Sequence, residues 1–185
     1  MSATSAHSTT SIADPTSYPE EDLRFDKKGR ASYYPAWLGQ HIQDGKYIIV
    51  RKLGWGQYSS VWLAKDREFD RFVSLKILTC EATTALKSKR SDEIELLRKL
   101  AATDRSHPGS RHAIEFYDTF EFDGLEGQHC CIVTEVLGRS VDTLRKESAD
   151  SDLRLSLPLV KTIIKQVLLG LDYLHGPCGI VHAGM

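Results

Sequence analysis

The sequence lacks the cysteine patterns that define several large classes of protein. Its 185 residues contain only four cysteines, and none of them forms a CxxC pair. Many zinc modules hold their metal with closely spaced cysteine pairs, and small secreted domains depend on a disulfide framework. We therefore expect no zinc site, no disulfide framework and a reducing compartment. The four are Cys80, Cys130, Cys131 and Cys178.

Long apolar runs and a strong charge of either sign are also missing. No run of about 18 apolar residues occurs, which predicts no membrane span, and the N-terminus lacks the apolar core of a signal peptide. The 24 Lys and Arg residues nearly balance the 25 Asp and Glu residues, for a formal net charge of −1. This balance predicts no direct binding to nucleic acid or to a membrane surface. We expect a protein of the cytoplasm, the nucleus or both.

The N-terminal part of the chain has little with which to build a core. Residues 1–16 are rich in Ser, Thr and Ala and carry almost no large apolar side chains. Such a segment cannot bury enough surface to order itself, so we predict that it is disordered. Residues 18–46 mix aromatic and polar side chains, which indicates an irregular arm that packs on the domain.

Beyond this arm, five short segments rich in β-branched, aromatic and aliphatic residues indicate strands. Polar or glycine-containing turns separate several of them. The predicted strands span residues 47–53, 60–65, 72–78, 113–120 and 129–136.

Two segments repeat apolar residues at helical spacing. The first spans residues 92–100 and is predicted to extend a few residues upstream. The second spans residues 158–175, with Pro158 in its first turn and Gly176-Pro177 ending it. The order of elements predicts an antiparallel α+β lobe followed by the start of a helical region. The repeat of the second helix consists of Val160, Ile163, Ile164, Val167, Leu168, Leu171 and Leu174.

The first motif with chemical meaning is Gly54-x-Gly56-x-x-Ser59-x-Val61. Glycine lets a backbone turn approach phosphates closely, but an ordinary tight turn is the commoner explanation of such a pattern. A dinucleotide-binding fold would place a helix directly after the glycines. Here the strand-like residues 61–64 follow, which favours a hairpin that covers phosphates.

Lys76 lies in an otherwise apolar predicted strand, on the same face as Ser74 and Leu78. Taken alone, it is equally well explained as an edge-strand lysine that reaches solvent.

Glu93 gives Lys76 a candidate partner, because Glu93 shares a helix face with three leucines and a buried carboxylate without a partner is costly. Glu95 instead faces Lys99 and is predicted to form a surface pair. A glycine-rich hairpin, a strand lysine and a helix glutamate follow one another in this order in protein kinases. The three leucines are Leu96, Leu97 and Leu100.

Five blocks in order resemble the serine/arginine-rich-protein kinases, a branch of the eukaryotic serine/threonine kinases. The resemblance covers about residues 33–182, and Ser59 stands at the third glycine position of the loop, as is typical of that branch. The blocks are the lead-in at 33–47, the glycine-rich loop at 54–64, helix C at 92–97, the hinge at 135–138 and the helix before the catalytic loop at 166–175.

The resemblance implies a protein-kinase-like small lobe, with a five-stranded antiparallel sheet and helix C, followed by the first helices of an incomplete helical lobe. It divides the chain into a disordered tail and arm at 1–32, a kinase-like N-terminal lobe at 33–137, and a hinge exit with the start of a C-terminal lobe at 138–185. ATP is the implied ligand, with Mg²⁺ as the metal of the family and a protein as substrate or partner.

The resemblance also implies roles for individual residues. Lys76 would hold the phosphates of ATP and Glu93 would orient Lys76. Glu135 and Leu137 would offer backbone groups to the adenine, with Thr134 behind it at the gatekeeper position. Taken singly, Leu53, Val61 and Leu137 are explained by plain core packing. The full predicted nucleotide-binding set is Leu53, Gly54, Gly56, Ser59, Val61, Lys76, Glu93, Thr134, Glu135 and Leu137.

After His182 the sequence departs from the family pattern, which continues with Thr-Asp and then Lys-Pro-x-Asn. Gly184 occupies the position of the catalytic base, and glycine cannot accept a proton. No catalytic residue and no metal ligand is therefore predicted, and His182 is expected to be a packing residue. Three hypotheses follow: a truncated and inactive kinase, which is favoured, a non-catalytic nucleotide-binding or partner-binding regulator, or a kinase completed by a second polypeptide. The apolar last helix is also predicted to promote self-association.

Overall fold

The computed structural model describes residues 33–147 and 154–181. The predicted tail at 1–32, His182 and Gly184 lie outside these residues. The strands are β1 (His41–Ile42), β2 (Tyr47–Gly56), β3 (Ser59–Asp66), β4 (Arg71–Leu78), β5 (Phe116–Asp123) and β6 (Gln128–Thr134). The helices are α1 (Cys80–Lys87), α2 (Glu93–Ala102), α3 (Val141–Lys146) and α4 (Leu157–His175), with a 3-10 turn at Ser110–His112.

The strands form one antiparallel sheet in the order β1-β2-β3-β4-β6-β5. The predicted antiparallel α+β lobe is confirmed, but the sheet has six strands, whereas five were predicted. The additional strand, β1, contains only two residues, which are too few to show the alternation by which strands are found in a sequence.

The turns of the sheet follow from their local chemistry. Gly56 pairs with Ser59, so a two-residue turn joins β2 to β3. The buried carboxylate of Asp66 accepts hydrogen bonds from the amides of Glu68 and Phe69, at 3.0 and 3.3 Å. This side-chain-to-backbone bonding stabilises the polar turn between β3 and β4.

Each face of the sheet packs against a different part of the chain. On one face, Val73, Leu75 and Ile77 of β4 belong to a buried core that the segment before β1 covers with Tyr34 and Ala36. On the opposite face, Leu78 and residues of β6 pack against α1 and α2. The second face therefore carries Ser74, Lys76 and Leu78, as the alternation of β4 predicts.

The predicted upstream extension of the first helix is wrong. A separate helix, α1, ends at Lys87, and α2 begins only at Glu93. Lys89 adopts a positive φ of 55° between the two, which an α-helix cannot accommodate. Helix α1 was not predicted, although the Thr79 hydroxyl caps it by accepting a hydrogen bond from the amide of Ala82 at 3.1 Å.

Helix α4 contacts the rest of the chain near its C-terminal end. Tyr173 is buried there, and an added Cβ on Gly109 would lie 1.9 Å from the carbonyl oxygen of Leu169. The backbone of the 3-10 turn region thus touches the backbone of α4. The described helices include none that is long and apolar enough to cross a membrane. On the rest of α4, Ile164, Val167 and Leu168 are each more than half exposed.

Candidate nucleotide-binding cleft

A cleft of about 960 Å³ lies on the helix-bearing face of the sheet, between β2, β3, β4, α2 and the segment that follows β6. Every predicted nucleotide-binding residue lines this cleft except Gly56 and Ser59. Those two line an adjoining cavity, and Lys76 and Glu93 border both spaces. The structure therefore brings the predicted residues to one continuous region.

Strand register explains why residues distant in sequence meet in the cleft. Gly54 pairs with Val61, Val61 with Lys76, and Lys76 with Ile132. Directly opposed residues of neighbouring strands face the same side of a sheet. These four residues form one row across the sheet, and all of them line the cleft.

The glycines of this region are not required by the fold of the protein itself. An added Cβ on Gly54 or Gly56 would meet no atom within 4 Å, and neither residue adopts a positive φ. Alanine would therefore fit both positions in terms of the chain's own packing and backbone. What glycine preserves here is open space beside the strand, into which a ligand can approach the backbone closely.

Lys76 and Glu93 form an ion pair between the Lys76 ammonium and Glu93 Oε1. Glu93 is the first residue of α2, so its side chain meets β4 at the start of that helix. The two side chains remain 34% and 38% exposed, respectively. The pair was predicted on the premise that Glu93 is buried, and that premise is wrong, because both groups border the open cleft. A cation in this position can therefore reach a ligand while the carboxylate holds it.

The segment after β6 provides backbone groups on the opposite wall. Thr134 is mostly buried, and the Glu135 amide donates to the carbonyl of Glu115 at 3.0 Å. The Glu135 carboxylate accepts from the Glu115 amide at 2.8 Å, which holds this segment against the start of β5. Within the described residues, no group accepts a hydrogen bond from the amide of Leu137. That amide is available to a ligand.

Several cleft residues were not predicted. Strand alternation predicted that Ser74 lies on the same strand face as Lys76, but Ser74 was not predicted to bind nucleotide. Ile132 reaches the cleft through strand register, which a single sequence does not show. Arg139 precedes α3 and Thr143 lies in its first turn, where the Ser140 hydroxyl caps the helix by accepting from the Thr143 amide at 3.1 Å. The Ser140-x-x-Thr143 spacing is the signal that could have indicated this short helix.

The surface pair predicted between Glu95 and Lys99 does not form. The Lys99 ammonium instead donates to the carbonyl of Gly179, at 3.0 Å. This contact ties α2 to the segment after α4, so it links the helix that carries Glu93 to the last described residues.

None of the four cysteines lines the cleft or the adjoining cavity. All four are free in the structure. Burial raises the pKa of Cys80, Cys130 and Cys131, which keeps these thiols protonated at neutral pH. Among the described residues, no three His, Cys, Asp or Glu side chains converge to hold a metal ion.

Comparison with known proteins agrees with this architecture. The protein kinase domain family matches residues 47–185. The solved kinase domain of PF14_0431 superposes with a TM-score of 0.60 over 76% of this chain and 38% of that chain, at 18% identity. At that identity the likeness shows the fold, which is that of a kinase small lobe and the helices after it.

Similar sequences belong to a narrower group. The chain is 37% identical over 153 residues to "Protein kinase dsk1" of Schizosaccharomyces pombe, covering 83% of this chain and 27% of that protein. It is 39% identical over 166 residues to "Serine/threonine-protein kinase SKY1" of Saccharomyces cerevisiae, covering 88% and 22%. It is 40% identical over 164 residues to "SRSF protein kinase 3" of Mus musculus, covering 88% and 28%. The chain thus spans about a quarter of the length of these relatives.

Proposed function

Because this chain belongs to the protein kinase family, in the branch of the SR-protein kinases, we propose that it supplies the ATP-binding lobe of a serine/threonine kinase for Arg-Ser-rich proteins. Protein kinases use ATP with Mg²⁺. We assign the lobe to residues 33–137, and the hinge exit and the start of a helical lobe to residues 138–185.

The observation that carries this proposal is the Lys76–Glu93 ion pair beside two glycines whose neighbouring space is open. A strand lysine that only solubilises an edge has no need of a carboxylate from a helix across a cleft. A tight turn that only joins two strands has no need of unfilled space beside its glycines. A phosphate-bearing ligand accounts for both features, because it needs a fixed cation and a close backbone approach.

The cleft also fits ATP in size and in the chemistry of its two ends. Its volume of about 960 Å³ lies near the upper end of the range for small-molecule sites. The carbonyl of Glu135 and the amide of Leu137 would bind the adenine edge, with Thr134 behind it. Lys76 would bind the phosphates beneath Gly54. Bound ATP supplies the phosphoryl group, and the residues of this lobe orient it and neutralise part of its charge.

Nucleotide titration of the 185-residue chain tests the proposal. We expect a fluorescent ATP analogue (MANT-ATP) to bind with a dissociation constant on the order of 0.1–1 mM, about 4–5.5 kcal/mol. Lys76→Met should weaken binding about tenfold or more, since it removes a charge-assisted contact to phosphate. Glu93→Gln should weaken it less, because the lysine remains.

Lys65→Met is a matched control. Lys65 is also a strand lysine in an ion pair, with Asp70 at 2.6 Å, but it does not line the cleft. Its loss should leave the affinity for MANT-ATP unchanged. Equal affinities for the wild type, Lys76→Met and Lys65→Met would contradict the proposed site.

A second candidate function rests on Gly184. Glycine at the catalytic-base position favours a non-catalytic regulator that binds nucleotide or a partner. We propose that the 185-residue chain alone transfers no phosphate, and an assay of transfer from labelled ATP to an Arg-Ser peptide tests this. Phosphorylation that disappears in Lys76→Met would show that Gly184 does not prevent catalysis.

A further inference from the structure

The segment before β1 packs on the sheet face opposite the cleft. The centroid of the Tyr34 ring lies 4.8 Å from the ring centroid of Phe122 and 5.3 Å from that of His129. Ala36 is buried, and the amide of Gly39 donates to the carbonyl of Ile49 at 2.8 Å. These contacts fix the segment on the sheet without any contribution from the glycine-rich loop.

From this segment, Tyr33 reaches the tip of the glycine-rich loop. Its hydroxyl lies 2.6 Å from the carbonyl oxygen of Gly56 and 3.0 Å from that of Gln57. The Tyr33 side chain lines neither the cleft nor the adjoining cavity. It therefore contacts the loop from outside the site that the loop covers.

The same loop is bound at its other end. The amide of Thr79 donates to the carbonyl of Tyr58 at 2.9 Å. The turn at 57–58 is thus held by two hydrogen-bond donors, Tyr33 from the N-terminal side in sequence and Thr79 from the C-terminal side. Of these two contacts, only the one from Tyr33 depends on a side chain.

We propose that Tyr33 is a positioning residue for nucleotide binding, which holds the glycine-rich loop through its hydroxyl; this inference rests on the function proposed above. The Gly56 carbonyl accepts a hydrogen bond from Tyr33, whose side chain lines neither the cleft nor the adjoining cavity. A carbonyl oxygen turned toward the cleft would repel phosphate oxygens. Loss of the hydroxyl frees this peptide group to rotate and loosens the loop.

The test uses the 185-residue chain as wild type, Tyr33→Phe and Tyr34→Phe. The two substitutions are matched, because each removes a single hydroxyl and the two tyrosines are adjacent in sequence. Tyr34→Phe is the control, because the Tyr34 hydroxyl contacts Gln40 rather than the loop. Melting temperatures establish that each variant folds. Hydrogen exchange without nucleotide is then measured in peptides spanning residues 54–60, followed by titration with MANT-ATP.

We expect Tyr33→Phe to speed exchange in residues 54–60 roughly threefold to tenfold, the ratio that loss of one hydrogen bond gives. Exchange in β4 should not change. The affinity for MANT-ATP should fall by a similar factor, while Tyr34→Phe should leave both quantities as in the wild type.

Unchanged loop exchange in Tyr33→Phe would overturn the tether, whether or not the protein binds nucleotide. A faster-exchanging loop with unchanged affinity would overturn the positioning role alone. A wild type that binds no MANT-ATP would instead overturn the proposed function, and the positioning role with it.

Discussion

Replacing Gly54 with alanine should make the protein more stable and at the same time weaken its binding of nucleotide. Gly54 lines the cleft, does not adopt a positive φ and has no atom within 4 Å of an added Cβ. Alanine at such a position reduces the freedom of the unfolded chain, which stabilises a protein by about 0.4–1 kcal/mol. We therefore expect the free energy of unfolding to rise by that amount.

The effect on binding has the opposite sign because of where the new methyl group would lie. Gly54 pairs with Val61, which faces the cleft in the same row as Lys76. The Cβ of alanine would thus occupy cleft space that a phosphate approaches. Overfilling a packed contact costs about 1–3 kcal/mol, so the dissociation constant for MANT-ATP should rise roughly 5-fold to 150-fold.

Urea unfolding and MANT-ATP titration on the same preparation measure the two effects. Gly109→Ala is the opposite control, because its Cβ would lie 1.9 Å from the carbonyl of Leu169. That variant should have a lower free energy of unfolding, because the new methyl group would clash with α4. Gly109 does not line the cleft. If Gly54→Ala is less stable than the wild type, the space beside Gly54 is not open. If it is more stable and binds MANT-ATP as before, the ligand does not approach Gly54, and the open space beside this glycine does not mark a phosphate site.

Three further predictions concern stability and association. Burial raises the pKa of Tyr47 to about 12, above a value of about 10 in the unfolded chain. The stability that the neutral Tyr47 side chain contributes is therefore complete below pH 10 and is lost as the pH rises through 12. Tyr47→Phe should abolish this loss of roughly 2–3 kcal/mol in the free energy of unfolding, measured by urea unfolding at several pH values. Thr79→Ala should lower the free energy of unfolding by about 0.5–2 kcal/mol through loss of the α1 cap, and thermal melts should show Thr79→Ser recovering most of it. Leu168 is 60% exposed on α4, so Leu168→Glu should reduce self-association in light scattering; an equal reduction by Gln166→Glu on the same helix would show that added charge, not loss of an apolar contact, is responsible.

The sequence was sufficient to predict the parts of the site that depend on local periodicity. Alternation along β4 placed Lys76 on the cleft face, and helical spacing directed Glu93 toward it. Both inferences need only the fixed geometry of a strand and a helix. The pair forms even though the supposed burial of Glu93 was wrong, because the cleft leaves both charges partly exposed.

Other features depend on information that periodicity does not contain. Helix α1 has a single buried residue, Thr83, so it lacks the apolar stripe that reveals a helix. Ile132 lines the cleft because it pairs with Lys76 across the sheet, and Ile114, which lies between the 3-10 turn and β5, reaches the cleft through the tertiary fold alone. The contact of Tyr33 with the loop joins residues 23 apart in sequence, and no local pattern predicts such a contact.

The backbone contact between α4 and the 3-10 turn region also has a mechanical consequence. An added Cβ on Gly170 would lie 3.2 Å from the carbonyl oxygen of His112, so two glycines, Gly109 and Gly170, let the two backbones meet from either side. This joint lies near one end of α4, and Leu157 begins the helix about 20 Å away at 1.5 Å per residue. A rotation of about 10° at the joint would displace that far end by roughly 3.5 Å, given this helix geometry. The joint of α4 is thus made of backbone atoms, and a side chain at Gly109, whose Cβ would lie 1.9 Å from the carbonyl oxygen of Leu169, would force the two backbones apart and displace the helix.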